Sequence, residues 1–168
     1  MQQENYIYHS PAGYIYIEAT DTGLSRVSFV DENTAAEISS DCNSSHPVLK
    51  KTIKELEQYF AGTLRTFSIM LNPLGTPFQI QVWKALGEIP YGETISYATL
   101  AKQLGQPDAV RAVANANGKN PLLLFYPCHR VIGSSGELTG YAGGLQRKKL
   151  LLELEGAIKP ELQTSLNF

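Results

Sequence analysis

The 168-residue sequence predicts an α/β fold of the α+β kind in two parts. Residues 1–75 form a small N-terminal lobe with an antiparallel sheet and a helix, and residues 76–168 a mainly helical C-terminal domain with a helix-turn-helix. Three observations carry this reading. Aromatic and β-branched runs, separated by turn residues, fill the first thirty positions. Helical periodicity with capping signals takes over at Thr76. Two short helical segments then meet at a tight turn around Gly105, as in a helix-turn-helix.

Taken in order, the strands are Tyr6-Ile7-Tyr8, Tyr14-Ile15-Tyr16-Ile17 and Val27-Ser28-Phe29-Val30, with turns at Ser10-Pro11-Ala12-Gly13 and Asp21-Thr22-Gly23. Residues 31–46 are polar and read as an exposed loop. Leu49, Ile53, Leu56 and Phe60 recur on one helical face, which Gly62 can terminate. A short strand is expected near Phe67-Ser68-Ile69-Met70-Leu71, and Asn72-Pro73-Leu74-Gly75 reads as the linker. Thr76 is an N-cap with Pro77 at the first helical position, and Phe78, Val82 and Leu86 line that helix until Gly87. Ser96 caps the next helix, which holds Leu100, Ala101 and Leu104. Gly105-Gln106-Pro107 separates it from a third over Ala109–Asn117. The apolar run ending at Tyr126-Pro127 is long enough for a buried strand, and the final helix spans Leu145–Glu155.

Composition bounds the function. With 43% hydrophobic and 18% charged residues the chain suits a soluble globular protein. No apolar run approaches the ~20 residues of a membrane span. The polar start Met1-Gln2-Gln3-Glu4-Asn5 lacks the form of a signal peptide, and two cysteines with no export signal favour a reducing cytoplasm. The net charge of −2 does not advertise a nucleic-acid binder. The halves differ, however: residues 1–76 hold five Lys/Arg against nine Asp/Glu, and residues 77–168 hold nine against seven.

Chemistry concentrates at Cys128. A free thiol titrates near ~8.5, so a nucleophilic cysteine needs a helper, and His129 is adjacent. On extended backbone neighbouring side chains point to opposite sides. A water or a backbone bend must therefore connect the pair. On the Cys-His dipeptide alone, a small buried hydrophobe is the commoner identity of such a cysteine.

The surrounding motifs reverse that balance. Pro127-Cys128-His129-Arg130-Val131 resembles the active-site signature of the O6-alkylguanine-DNA alkyltransferases, the methylated-DNA–protein-cysteine methyltransferases. The resemblance extends in order through Thr76-Pro77-Phe78-Gln79, Val82-Trp83, Ile89-Pro90-Tyr91-Gly92-Glu93-Thr94, Ser96-Tyr97 and Leu100-Ala101. It continues through Arg111-Ala112-Val113, Asn120-Pro121, Gly140-Tyr141-Ala142-Gly143-Gly144 and Leu151-Leu152…Glu155-Gly156. Together these cover residues 76–156.

The resemblance implies irreversible, single-turnover transfer of an alkyl group from O6 of guanine, or O4 of thymine, to Cys128. It implies no cofactor and no metal. The implied partner is double-stranded alkylated DNA, gripped through its minor groove by a monomer. Ala109, Ala112 and Ala116 form a small-residue helix face, ordinarily a sign of close helix packing; by resemblance this helix lies in the groove, with Ala114 and Ser134 as further DNA contacts. Arg111, elsewhere an ordinary solvated charge, would fill the space of the flipped nucleotide. Tyr97, by default a half-buried core tyrosine, would contact the flipped guanine and supply a proton as it leaves. Asn120, otherwise a turn residue, would clasp the helix-turn-helix against the active-site segment. Glu155, poorly placed for the helix dipole, would complete a Cys128–water–His129–Glu155 relay. Tyr141, Ala142, Gly143 and Val131 would wall the alkylguanine pocket.

Three positions depart from the family pattern: Ala114 stands where glycine is common, Ala142 where some relatives have serine, and Leu123 where certain relatives have proline. Four other readings compete. A non-catalytic alkylated-DNA-binding relative would replace the cysteine, which this chain keeps. A zinc module from Cys42, His46, Cys128 and His129 would need a second pair with no intervening residue, unlike chelating spacings. A transcription regulator would carry base-reading side chains where this recognition helix carries alanines. A cysteine hydrolase would turn over acyl substrates rather than consume itself.

Overall fold

The computed structural model describes residues 2–38 and 44–160. Its first layer is an antiparallel sheet in the order β1 (Gln3–Ser10), β2 (Gly13–Thr20), β3 (Gly23–Val30). Tyr6 pairs with Ile17 and Ile17 with Val27, so alternation along β2 sends Ile15, Ile17 and Ala19 to one buried face. α2 (Pro47–Phe60) packs on this sheet through Leu49, Leu56 and Tyr59, and the chain turns away at Gly62 with φ +77°.

The rest of the chain is mostly helical, as expected. α3 (Pro77–Leu86) starts with a capping box: Thr76 Oγ1 accepts from Gln79 N–H, and the Gln79 side chain accepts from Thr76 N–H. Strand β4 (Ile95–Ser96) leads into α4 (Tyr97–Gln103), where Ser96 Oγ accepts from Thr99 N–H. A turn through Gly105 at φ +71° joins α4 to α5 (Val110–Gly118), completing the helix-turn-helix. Trp83 of α3 is buried and donates from its indole to Ala116 O at 2.8 Å, locking α5 in place. Strand β5 (Val131–Ile132) pairs in parallel with β4, and α6 (Leu145–Leu154) closes the core through Leu151 and Leu152.

Three expectations fail. Residues 32–37 are a short helix, α1 (Glu32–Glu37), because Asp31 Oδ1 caps it by accepting from Thr34 N–H at 2.7 Å. Residues 67–71 form no strand. Leu24 pairs with this stretch at one bridge, and Ser68 bonds instead to α2: its N–H and Oγ–H to the Glu55 carboxylate, and its O to Lys51 Nζ. The apolar run before Cys128 is buried but not a strand. Pro121 and Pro127 lack the N–H a ladder needs, Leu124 takes φ +73°, and one short bridge to Val27 precedes a tight turn closed by Tyr126 N–H to Leu122 O. The turn aims Cys128 where a straight strand would not.

Candidate active site

Cys128, His129 and Arg130 form one turn of 3-10 helix, in which successive side chains diverge by about 120°. Cys128 therefore faces a cavity while His129 and Arg130 face the end of α6. The thiol is free and buried. The segment before it is closed by Asn120, whose amide donates from Nδ2 to Tyr126 O at 2.7 Å and accepts at Oδ1 from Leu122 N–H at 2.9 Å. Asn120 thus clasps the end of α5 to the turn that presents the cysteine.

Behind the thiol sits a buried polar cluster centred on Glu155. Its Oε1 lies 2.7 Å from His129 Nε2, 2.7 Å from Tyr59 Oη and 2.9 Å from Arg130 Nη2, and its Oε2 accepts from Arg130 Nε at 2.9 Å. Burial alone would raise the Glu155 carboxyl, but hydrogen bonds from His129 and Arg130 and the guanidinium charge outweigh it and hold the pKa down at about 2. Burial lowers the His129 pKa, against the pull of Glu155. In the neutral form that burial favours, His129 carries its proton on the nitrogen that faces the carboxylate, because Glu155 can only accept. Its Nδ1 is an acceptor, buried and without a hydrogen-bond partner among the described residues. Burial pushes the Cys128 thiol up to about 11, countered in part by the Asn120 amide and the charge of Lys148. The resting nucleophile is a thiol, and it needs a base.

The cavity beyond Cys128 measures about 680 Å³, within the range of about 300–1,000 Å³ common for ligand sites. Tyr97, Val110, Arg111, Ala114 and Asn117 line one side from the helix-turn-helix, and Gly133, Ser134, Glu137, Thr139, Gly140, Tyr141 and Ala142 line the other. The second wall is held by Lys148 of α6, whose buried Nζ donates to Val131 O at 2.6 Å and Thr139 O at 2.7 Å. Burial lowers the Lys148 pKa to about 8. Tyr97 Oη donates to Thr139 O at 3.4 Å, joining the two walls.

Family models match nearly all of this framework. One described as "6-O-methylguanine DNA methyltransferase, DNA binding domain" covers residues 77–157, and one described as "6-O-methylguanine DNA methyltransferase, ribonuclease-like domain" covers residues 6–73. The chain belongs to this family. Its activity is DNA repair by alkyl transfer from DNA to a protein cysteine. A methylated-DNA–protein-cysteine methyltransferase of Methanosarcina acetivorans is 46% identical over 151 residues, covering 90% of this chain and 97% of its own. The crystal structure of the Mycobacterium tuberculosis O6-methylguanine methyltransferase aligns with a TM-score of 0.80 at 41% identity, covering 95% of this chain and 96% of that one. A second structure of the M. tuberculosis protein, in complex with DNA, aligns with a TM-score of 0.79 at 43% identity over 90% of this chain and 91% of that one.

Against that family, the predicted site residues sort clearly. The fold brings Cys128, Tyr97, Arg111, Ala114, Ser134, Tyr141 and Ala142 to one cavity, and His129, Asn120 and Glu155 directly behind it. Ala109 and Ala112 lie outside the lining, and the alanine face divides: Ala112 is exposed while Ala116 is buried beneath Trp83. Val131 is fully buried, stands outside the lining, and holds the Lys148 ammonium with its carbonyl. Gly143 also stands off the cavity; a side chain there would strike the rings of Phe29 and Tyr141. The zinc reading has no counterpart among the described residues, which hold no metal-competent cluster of His, Cys, Asp or Glu; Cys42 lies outside them.

Sequence reasoning missed four residues. Arg130, Lys148 and Tyr59 hold the cluster and the wall, and Asn117 lines the cavity with a buried Oδ1 that has no hydrogen-bond partner among the described residues. One signal was available. Lys148, Leu151, Leu152 and Glu155 share the buried face of α6 at helical spacing, so a lysine and a glutamate sit where only apolar residues belong.

Proposed function

We propose that the protein binds duplex DNA through the minor groove as a monomer, flips an O6-alkylguanine into the 680 Å³ cavity, and takes the alkyl group onto Cys128 once per molecule. The observation that carries this reading is the placement of His129 between Glu155 and the cysteine. Its Nε2–H is committed to Glu155, and its bare Nδ1 is buried beside a cysteine that opens on the cavity. Through one water, Nδ1 accepts the thiol proton. Sulfur then attacks the alkyl carbon in line, a carbon–sulfur bond forms, and the carbon–O6 bond breaks with its electron pair left on guanine. The thiol proton ends on the departing base, delivered with the help of Tyr97 Oη, so the sum is thiol plus alkylguanine giving thioether plus guanine. Asn120 keeps the cysteine aimed.

Flipping is required because a stacked O6 cannot meet sulfur in line, and it costs a few kcal/mol. Arg111, exposed at the mouth of the cavity, fills the gap in the stack. Ala114 and Ser134 let the DNA backbone approach, with Ala109 and Ala112 beside them on the groove-facing helix. Tyr141 and Ala142 wall the base, supported from behind by Gly143 and Val131. O4-alkylthymine presents the same alkyl–oxygen bond and is a second substrate. Residues 1–75 form the N-terminal lobe and residues 76–168 the alkyltransferase domain, and the protein works in the cytoplasm.

The experiment is a comparison of Cys128→Ser with the native chain on duplex DNA carrying one O6-methylguanine. The variant keeps binding and loses transfer entirely. Transfer by the variant would refute the assignment.

A further inference from the structure

Tyr59 stands apart from the other donors to Glu155 because it comes from the N-terminal part of the chain. It is carried by α2, 96 positions from Glu155, yet donates to Glu155 Oε1 at 2.7 Å, the same oxygen and the same distance as His129 Nε2. Arg130 Nη2 reaches that oxygen too, at 2.9 Å, whereas Oε2 accepts only from Arg130 Nε among the described residues. A carboxylate oxygen offers two lone pairs, so three donors on Oε1 compete for its electron density. The phenol is 1% exposed and set among aromatic rings, 5.2 Å from Phe60, 5.3 Å from Phe67 and 6.2 Å from Tyr91. That packing fixes the hydroxyl on Glu155.

We infer that Tyr59 is a positioning residue for alkyl transfer, through which the N-terminal lobe sets how strongly Glu155 supports His129 as a base. The inference rests on the proposed relay. Each donor sharing Oε1 reduces what the carboxylate gives the imidazole, so Tyr59 tempers the basicity of His129. Burial and the adjacent carboxylate raise the phenol well above its ordinary pKa, so it remains a donor at every working pH. The other charged groups facing this pair are Arg130 from the 3-10 turn and Lys148 from α6. Tyr141 packs edge-on to His129 at 6.4 Å, and Tyr91 lies beneath Arg130 and Arg65. Lys148 and Arg130 oppose charge on His129, which leaves Glu155 as the group that favours it.

The test is the rate of methyl transfer from duplex DNA as a function of pH, between about pH 4.5 and 9, for four proteins beside the native one. Tyr59→Phe keeps the ring and removes the competing donor; its acid limb moves to higher pH by about half a unit or more, as His129 becomes a stronger base. A ring-fluorinated tyrosine at position 59 donates more strongly and moves the limb to lower pH. Tyr91→Phe, in the same aromatic cluster but without a bond to Glu155, lowers the melting temperature without moving the limb. His129→Gln separates this inference from the relay beneath it. If the Gln variant loses the acid limb while the two Tyr59 variants overlay the native profile, the role of Tyr59 is refuted and the relay stands. If the Gln variant keeps the native profile, the relay itself fails, and Tyr59 is only a structural contact. Should Tyr59→Phe fail to fold, the fluorinated variant alone decides, since an unmoved limb overturns the inference.

Discussion

Arg130 grips Glu155 by both carboxylate oxygens, Nε on Oε2 and Nη2 on Oε1, each at 2.9 Å. Its Nη1 donates to Ile89 O at 2.6 Å. The guanidinium thereby fixes the carboxylate that orients His129 and neutralises it in the protein interior. Bidentate geometry is what makes such a buried pair tolerable, because both charges have given up water. Arg130→Ala should therefore cost about 3–5 kcal/mol in urea denaturation, the usual loss when one member of a buried pair is removed. Removing an exposed charge such as Lys102 should stay within about 0.5 kcal/mol.

Acid stability should fall in two steps. His129 is lowered in the folded state, so the fold binds fewer protons than the unfolded chain, and stability is lost as pH drops below the ordinary histidine value near ~6.5. Glu155 is held at about 2 against an ordinary value of 4.5, so its contribution is fully present above 4.5 and drains away as pH falls toward 2. That gap corresponds to about 3 kcal/mol. Urea midpoints measured from pH 7.5 down to 2.5 check this: Glu155→Gln should flatten the lower step, and His129→Gln the upper one. A native curve with no slope below pH 4.5 would contradict the paired Glu155.

Lys148 should govern the mobility of one cavity wall. Its ammonium bonds to the carbonyls of Val131 and Thr139, which flank the loop through Ser134. Lys148→Met keeps the bulk and leaves those carbonyls unpaired, at about 1–3 kcal/mol each. Hydrogen exchange over residues 131–141 should quicken at least about tenfold, roughly 1.4 kcal/mol of lost protection, while exchange in β2 stays unchanged. Transfer should slow with it, because Tyr141 and Ala142 are set by the same wall.

What the sequence made legible, and what it hid, follows from the range of the interactions. Local devices could be read directly: alternation in Tyr14-Ile15-Tyr16-Ile17, the Thr76 N-cap with Pro77 behind it, and glycines such as Gly62 and Gly105 where φ turns positive. The Asp31–Thr34 cap was equally local, but the polarity of its surroundings masked a helix that buries none of its residues. The buried run before Cys128 misled because apolar content signals burial, and only Pro121, Pro127 and the left-handed Leu124 decide its shape. Cys128, His129 and Glu155 came from the family pattern. Tyr59 could not, since its meaning lies in a contact with a residue 96 positions away. Arg130 was visible inside the motif, yet nothing in the chain order says that it shares a carboxylate with His129.

Arg111 separates extrusion from chemistry. It is exposed at the cavity mouth, so Arg111→Ala should change stability by no more than about 0.5 kcal/mol. It should slow repair of duplex DNA far more than reaction with free O6-benzylguanine, which needs no unstacking. Arg111→Lys should restore only part of the duplex rate, because lysine has charge but no planar guanidinium. Equal slowing of both substrates would place Arg111 in the pocket or the fold. Full rescue by lysine would reduce it to phosphate attraction, weakened by added salt.

The central claim is that Cys128 takes the alkyl group and keeps it. Incubating the protein with excess duplex DNA carrying one O6-methylguanine, followed by intact-protein and peptide mass spectrometry, tests it most directly. The account predicts one methyl per protein molecule, mapped to the peptide containing Cys128, with guanine restored in an equal amount of DNA and no further repair. A methyl on Cys42, or more than one guanine restored per protein molecule, would contradict it.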